Sequence, residues 1–339
     1  MLNEFICEKE LSLNIASVLA KHTSASFLFS GIEGIGKKTL ASIISNNLLN
    51  MKEADSSLIK SNPLILLKST LHKTKEENLF FNNTHPDFFL MYSEEKKKIS
   101  IEETRQLKLF FNNTKSISNV KVVIIDTIED LTLNAINMIL KLLEEPPENT
   151  YIFIISNKPS NVLKTIESRL FKFYFKPLKK EEFFRVSSKL NIKNNPEENN
   201  FLSSIYINSP GLAKKYYDKN LFEKYLNLLD YFQRLLKNST LDNSFEFVKT
   251  KASFKDEYNY ITLVNRVVKN VLLIMTEDKI PDDLSEFESS LFYSLSNEYK
   301  FNNLYEKYVN LQKDLYYSEQ LNVRKLDVID NFINSFNYQ

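Results

Sequence analysis

Apolar residues in the first half of the chain fall in short runs separated by amphipathic stretches of helical length. Ser26-Phe27-Leu28-Phe29-Ser30 reads as a strand, and further strands are predicted at Phe88–Met91, Val120–Ile125, Tyr151–Ile155 and Phe171–Phe175. The last two are runs of the kind that strands covered on both faces require. Ile136, Ile139, Leu140 and Leu143 recur at i, i+3, i+4 and i+7, which predicts a helix over Asn134–Glu145 stopped by Pro146-Pro147. Strands alternating with helices imply a parallel sheet within residues 1–177.

After Pro177 the strand signals stop. Leu221, Phe222, Tyr225, Leu228, Leu229, Phe232, Leu235 and Leu236 follow helical spacing, as do Ile261, Val264, Val268, Val271, Leu272 and Met275. Residues 178–220 are therefore read as a small helical domain and 221–339 as a helical bundle. Residues Ser56 to Asn83 fit neither period and are expected to form an insertion.

Composition narrows the class. A chain of 339 residues is long enough for more than one core, and 43% hydrophobic with 26% charged residues is ordinary for a water-soluble globular protein. A formal net charge of +1 supplies no global field toward nucleic acid or an anionic membrane. Lys96-Lys97-Lys98 beside Glu94-Glu95 reads as a solvated turn. The single cysteine, Cys7, rules out an intrachain disulfide framework, and with His22, His72 and His85 it cannot make a cysteine-rich zinc site. No run reaches the ~20 apolar residues of a membrane span, and Met1 to Cys7 lacks the layout of a secretion signal, so a cytoplasmic location is expected.

Only four glycines occur in the chain, and Gly31, Gly34 and Gly36 lie between the first strand and the helix that Leu40-Ala41-Ser42-Ile43-Ile44 opens. Gly31-Ile32-Glu33-Gly34-Ile35-Gly36-Lys37 has the spacing of a phosphate-binding loop, where backbone N–H groups face an anion at a helix N-terminus and the lysine adds charge. The pattern asks next for Ser or Thr to hold magnesium. Lys38 stands there, and Thr39 comes one place late. Asp126, ending the Val122-Val123-Ile124-Ile125 strand, suits the acid that reaches magnesium through water, but Thr127 occupies the next position, where a water-polarising glutamate is sought. Glu129 is expected to be a solvated acid pointing elsewhere. The candidate nucleotide-binding residues are thus Gly31, Gly34, Gly36, Lys37, Lys38, Thr39 and Asp126. Two states stay open for them: ATP or ADP with magnesium at a degenerate site, or no nucleotide.

Asn134-Ala135-Ile136-Asn137-Met138-Ile139-Leu140-Lys141-Leu142-Leu143-Glu144-Glu145-Pro146-Pro147, a strand, and then Thr165-Ile166-Glu167-Ser168-Arg169-Leu170 make a specific combination. With His85-Pro86-Asp87, Ile101 and Arg105 between the loop and Asp126, the chain resembles the delta-prime subunits of bacterial DNA polymerase III clamp loaders. The likeness is dense from Phe27 to Phe175 and thin beyond Pro177, where it rests on Ser209-Pro210-Gly211. The resemblance implies an α/β P-loop (AAA+) domain with a parallel sheet over 1–177, a small helical lid over 178–220 and an all-α collar over 221–339. It also implies a five-subunit ring with gamma/tau and delta as partners, acting on a sliding clamp and primer-template DNA, with no membrane involved. Arg169 matches the arginine that such a subunit projects into its neighbour's ATP site. Three departures stand out: Ser56 to Asn83 holds none of the family's zinc-binding cysteines, Leu170 replaces a cysteine, and Leu212 stands where an ATP-sensing arginine is sought. No zinc and no other metal ligand is therefore expected.

Weighed together, these features favour a clamp-loader subunit that does not hydrolyse ATP over an active AAA+ ATPase of the gamma/tau type, whose magnesium ligand, glutamate and sensing arginine are weak or missing. A free-standing DNA-binding protein is disfavoured by the balanced charge and the lack of a recognition motif. Tyr216-Tyr217 and Tyr316-Tyr317 are expected to pack in cores or interfaces.

Overall fold

Along the strand that leads into the glycine loop, Phe27 and Phe29 join one apolar cluster while Leu28 joins another. The same alternation runs through the two strands on one side of it. Val122, Ile124, Phe153 and Ile155 belong with Phe27; Val123, Ile125, Ile152 and Ile154 belong with Leu28. Side chains that alternate with period two, apolar on both sides, need a layer of helices on each face.

The computed structural model describes residues 8–51, 62–68, 74–93, 98–144, 146–158, 164–190, 192, 196–236, 254–281, 284–321 and 323–336. Cys7, His72, Lys96, Lys97 and Glu145, with parts of the expected insertion, lie outside them. The chain divides into two compact units, Met1–Leu178 and Lys179–Gln339.

In the first unit β1 (Ala25–Ser30), β2 (Phe88–Tyr92), β3 (Lys121–Asp126), β4 (Thr150–Ser156) and β5 (Phe171–Tyr174) form one parallel sheet in the order β2-β3-β4-β1-β5. Helices α1 (Lys9–Lys21), α2 (Lys37–Leu49) and α3 (Lys75–Phe81) contribute to the Phe27 cluster through Leu19, Leu40, Ile44 and Phe80. On the other face α4 (Ile101–Asn112), α5 (Leu133–Glu144) and the single turn α6 (Lys164–Glu167) bring in Leu107, Ile139, Leu143 and Ile166. This is the α/β P-loop class expected from the sequence, and α5 falls within a residue of its predicted bounds. Aromatic rings bind neighbouring strands: Phe27 stacks on Phe153 at 4.9 Å between centroids, and Phe29 meets Phe175 at 5.1 Å.

Two expectations need correction. β4 is buried along its whole length, but β5 is not. It pairs only with β1, at the sheet's edge, so Phe173 turns inward while Phe171 and Tyr174 are 37% and 54% exposed. Where it is described, the stretch read as an insertion is part of the core. A 3₁₀ turn at Pro63–Leu67 buries Leu66, Asn47 Nδ2 donates to the carbonyls of Leu66 and Lys68 at 2.9 Å each, and Asn46 Nδ2 donates to Glu77 at 3.1 Å.

His85-Pro86-Asp87 owes its place to architecture. The fully buried Asp87 carboxylate accepts from the backbone N–H groups of Ser116, Ile117 and Ser118 at 2.7 to 2.8 Å, folding the loop before β3 around one anion. His85 Nδ1 accepts from the Asp87 N–H at 3.1 Å, and burial holds the imidazole's pKa below its ordinary value despite the Asp87 and Glu76 charges. Lys121 Nζ donates to the carbonyls of Phe110, at 2.6 Å, and Asn113, closing the C-terminus of α4.

Every element described in the second unit is a helix: α7 (Lys180–Lys189), α8 (Pro196–Ile205), α9 (Pro210–Tyr216), α10 (Leu221–Leu236), α11 (Phe254–Glu277), α12 (Glu286–Glu298), α13 (Phe301–Leu321) and α14 (Lys325–Asn334). Ser209-Pro210-Gly211 starts α9, with the Ser209 hydroxyl accepting from the Leu212 N–H and Pro210 at the first position. Polar contacts tie the helices before residue 220 to those after it. Arg266 on α11 pairs with Glu288 on α12 at 2.9 Å and donates to Tyr225 on α10 at 3.2 Å and to Ser204 on α8. Asn259 accepts from the Tyr206 hydroxyl at 3.2 Å and donates to the Tyr216 carbonyl at 2.9 Å, and Tyr216 stacks on Tyr258 at 3.8 Å. Tyr216 is core, as expected, whereas Tyr316 and Tyr317 are 64% and 52% exposed and belong to the surface of α13.

Candidate functional site

Parallel strands all end at one edge of the sheet, so residues at their C-terminal ends converge in a crevice. Here β1 ends at Ser30, β3 at Asp126 and β4 at Ser156, and the glycine loop follows β1 directly. Two of the glycines are there for reasons of geometry. A Cβ on Gly31 (φ +142°) would stand 2.3 Å from the Phe175 carbonyl oxygen, and Gly36 takes φ 97°, ψ 12° to launch α2.

Lys37, 3% exposed, folds back on the loop and donates to the carbonyls of Gly31 at 2.8 Å and Ile32 at 2.5 Å. Burial brings its pKa down to about 8, even though the charges of Glu129, Asp126 and Glu33 act in the opposite sense. Lys38 is 46% exposed at its side chain but bends toward β3. Its Nζ pairs with Asp126 Oδ2 at 3.0 Å and lies 5.5 Å from the centre of the Tyr92 ring. Thr39, one residue further along α2, is rotated by about 100° about the helix axis from Lys38. Thr127, in the position after Asp126, donates its hydroxyl to Asp130 at 2.9 Å.

Glu129 is the residue that the sequence reading misplaced. A 3₁₀ turn over Ile128–Asp130 brings it back to the crevice, where Oε1 accepts from the Ser156 hydroxyl at 2.5 Å and from the Lys158 N–H at 2.9 Å. Its Oε2 is buried with no hydrogen-bond partner among the described residues. The signal available was the acidic pair Glu129-Asp130 directly after a buried strand, and the turn that redirects it has no distinctive spelling.

The sheet ends thus collect the loop, Lys37, Lys38, Asp126, Glu129 and Ser156. A P-loop fold implies a magnesium–nucleotide, and this donor set does not fit the metal: an ammonium group stands on Asp126, the acid at the end of β3, and no hydroxyl follows Lys37 in sequence. Among the described residues no group of three or more His, Cys, Asp or Glu is placed to hold a metal ion, and no helix is long and apolar enough to cross a membrane.

Arg169 lies apart from these groups, just after α6. Its guanidinium donates to Glu144 Oε1 at 2.8 Å and to the Thr165 carbonyl at 2.5 Å, with its side chain 34% exposed. The pair joins the two sequence motifs, Leu-Glu-Glu-Pro-Pro and Ser-Arg, across 25 residues. Leu212 is buried in α9.

Known proteins match the first unit in sequence. A family model described as DNA polymerase III, delta subunit, matches residues 8–179, and so ends where the first unit ends. The DNA polymerase III subunit delta' of Pseudomonas aeruginosa is 34% identical over 151 residues, covering 44% of this chain and 42% of that one. The subunit delta' of Buchnera aphidicola subsp. Schizaphis graminum is 30% identical over 165 residues, covering 47% and 48%. The match thus spans about half the length of these relatives or less. A crystal structure of a DNA polymerase III, gamma subunit-related protein from Thermotoga maritima aligns with 96% of this chain and 98% of that one, at 16% identity and a TM-score of 0.44. With just over half of the chain matched by the family model, the chain belongs to the DNA polymerase III delta subunit family, as a member of delta-prime type.

Proposed function

We propose that this chain works as the delta-prime-type subunit of a bacterial DNA polymerase III clamp loader, without hydrolysing ATP itself. In this reading it joins gamma/tau and delta in the cytoplasm, and through the complex it helps place a sliding clamp on primer-template DNA. The segment 178–220 serves as the lid and 221–339 as the collar, whose exposed aromatics Tyr305, Tyr316 and Tyr317 offer assembly surface. It requires no cofactor and no zinc. The observation that carries the reading is the Lys38–Asp126 ion pair, which occupies the acid that magnesium-dependent hydrolysis depends on.

Arg169 is the residue assigned a catalytic part, donated in trans to the ATP site of the neighbouring gamma/tau subunit. Its side chain, 34% exposed just after α6, supports this, and arginines donated in trans are worth ~10³–10⁵ in rate in GTPases. The test is a reconstituted complex carrying Arg169→Lys or Arg169→Ala. DNA-stimulated ATP hydrolysis and clamp loading should fall while assembly persists, because lysine lacks the planar fork. Full activity in a correctly assembled mutant complex would sink the donor role.

The gamma/tau-type ATPase reading draws support from Glu129, whose buried, unpartnered Oε2 lies in the crevice near Lys37. Against it stand Lys38, Thr127 and Leu212. A turnover assay on the isolated chain with magnesium separates the two: negligible hydrolysis is expected, and substantial hydrolysis abolished by Lys37→Ala would promote the motor reading.

A further inference from the structure

We propose that Lys38 is the residue that excludes a divalent cation from this loop, its ammonium group standing in for the metal at Asp126. The inference rests on reading the segment from Gly31 to Lys37 as a phosphate-binding loop, and it deepens that reading by saying what became of the metal.

The ammonium group has a built seat. Tyr92 and Asp126 are register partners at the adjacent ends of β2 and β3. Lys38 Nζ lies across that pair, 3.0 Å from the carboxylate and 5.5 Å from the ring centre, so an ion pair and a cation–π contact hold it from two sides. Asp126 is 21% exposed at its side chain and Lys38 46%, so solvent reaches the contact from the lysine side while the carboxylate stays largely enclosed. Of the other groups that could recruit a metal, Glu129 Oε2 alone is left without a hydrogen-bond partner among the described residues. Thr127 donates to Asp130, and one oxygen of Glu129 accepts from Ser156 and from the Lys158 N–H. Lys37 remains with the loop carbonyls, so the two lysines divide the work: one supports the loop and the other neutralises the acid. A divalent ion arriving at Asp126 would have to displace a charge of its own sign.

The test uses the full chain alone, with Mn2+ as the probe in the presence of ATP and free Mn2+ read by electron paramagnetic resonance. No partner subunit enters, so the outcome is independent of whether the chain assembles with gamma/tau. The wild type should retain no Mn2+ beyond the Asp126→Asn control. Lys38→Thr should bind it about thirtyfold more tightly than the wild type, the scale of a unit charge held about 4 Å from a divalent ion in water. Asp126→Asn in the Lys38→Thr background should abolish that gain, and Lys38→Arg should behave as the wild type because it keeps the charge. Circular dichroism confirms that each variant is folded. Asp126-dependent Mn2+ binding by the wild type, or a folded Lys38→Thr chain that gains none, would overturn the proposal.

Discussion

Glu144 and Arg169 are joined by a 2.8 Å ion pair, so the two most recognisable motifs of the chain meet at a single contact. Both side chains are substantially exposed, at 50% and 34%, and such a pair contributes under about 1 kcal/mol to stability. Glu144→Gln should therefore leave the melting temperature nearly unchanged. In the assembled complex it should alter the ATPase rate by no more than about fivefold, the equivalent of that energy. Arg169→Ala should cost far more. If the two substitutions reduce the rate equally, Arg169 acts through the local pair and not at a neighbour's phosphate.

Asp87 makes a different kind of prediction. Its fully buried carboxylate gathers three backbone N–H groups, so Asp87→Asn removes the charge and leaves donors poorly matched. A loss of roughly 2–4 kcal/mol in urea unfolding is expected. Because the residue shapes a loop and touches no phosphate group, the variant that remains folded should support the same ATPase rate in the complex as the wild type.

Lys37 should give stability a pH dependence. Its folded pKa of about 8 lies below the ordinary 10.5, so between these values the folded chain binds fewer protons than the unfolded one. Stability attributable to this residue therefore rises with pH across that window, by up to about 3 kcal/mol. Lys37→Met lacks this dependence. Urea denaturation at pH 7.5 and pH 10 should find the wild type gaining on the variant as pH rises, while a difference that stays constant would rule out burial of the ammonium group as its cause.

The Arg266–Glu288 pair is almost completely enclosed, with side chains 6% and 8% exposed. Removing one partner strands the other charge in the core. Glu288→Gln should cost about 3–5 kcal/mol, and it also weakens the capping box that Ser285 and Glu288 form at the start of α12. Changing both residues, as Arg266→Met with Glu288→Gln, should recover much of that loss in a double-mutant cycle.

Much of the secondary structure was legible because one-dimensional periods report directly on burial. The spacing of Ile136, Ile139, Leu140 and Leu143 placed α5 to within a residue, and the strands read at Val120–Ile125 and Tyr151–Ile155 fall on β3 and β4. The helix over Ile101–Asn112 went unread, although Ser100 and Glu103 form a capping box ahead of Leu107, Phe110 and Phe111. What the sequence hid were consequences of strand order and of turns. Nothing local in Phe171–Phe175 says that it will lie at an edge, because an edge is defined by the missing neighbour. Glu129 faces the crevice only through a 3₁₀ turn, and Lys38 meets Asp126 across 87 residues of intervening chain. The loop's departures from the magnesium-binding pattern could be read in sequence, but the ion pair that replaces it could not.

The contacts spanning residue 220 have a practical consequence. Ser204 and Arg266, Tyr206 and Asn259, and Tyr216 and Tyr258 are three separate links between the helices before that point and α11 after it. These links bind α8 and α9 to α11, in keeping with the single compact unit that residues 179–339 form. The same links dictate where the polypeptide can be shortened. A chain ended at Asn220 would strip Tyr206, fully buried in the whole chain, of its partner Asn259, whereas one ended at Leu178 follows the division between the two units.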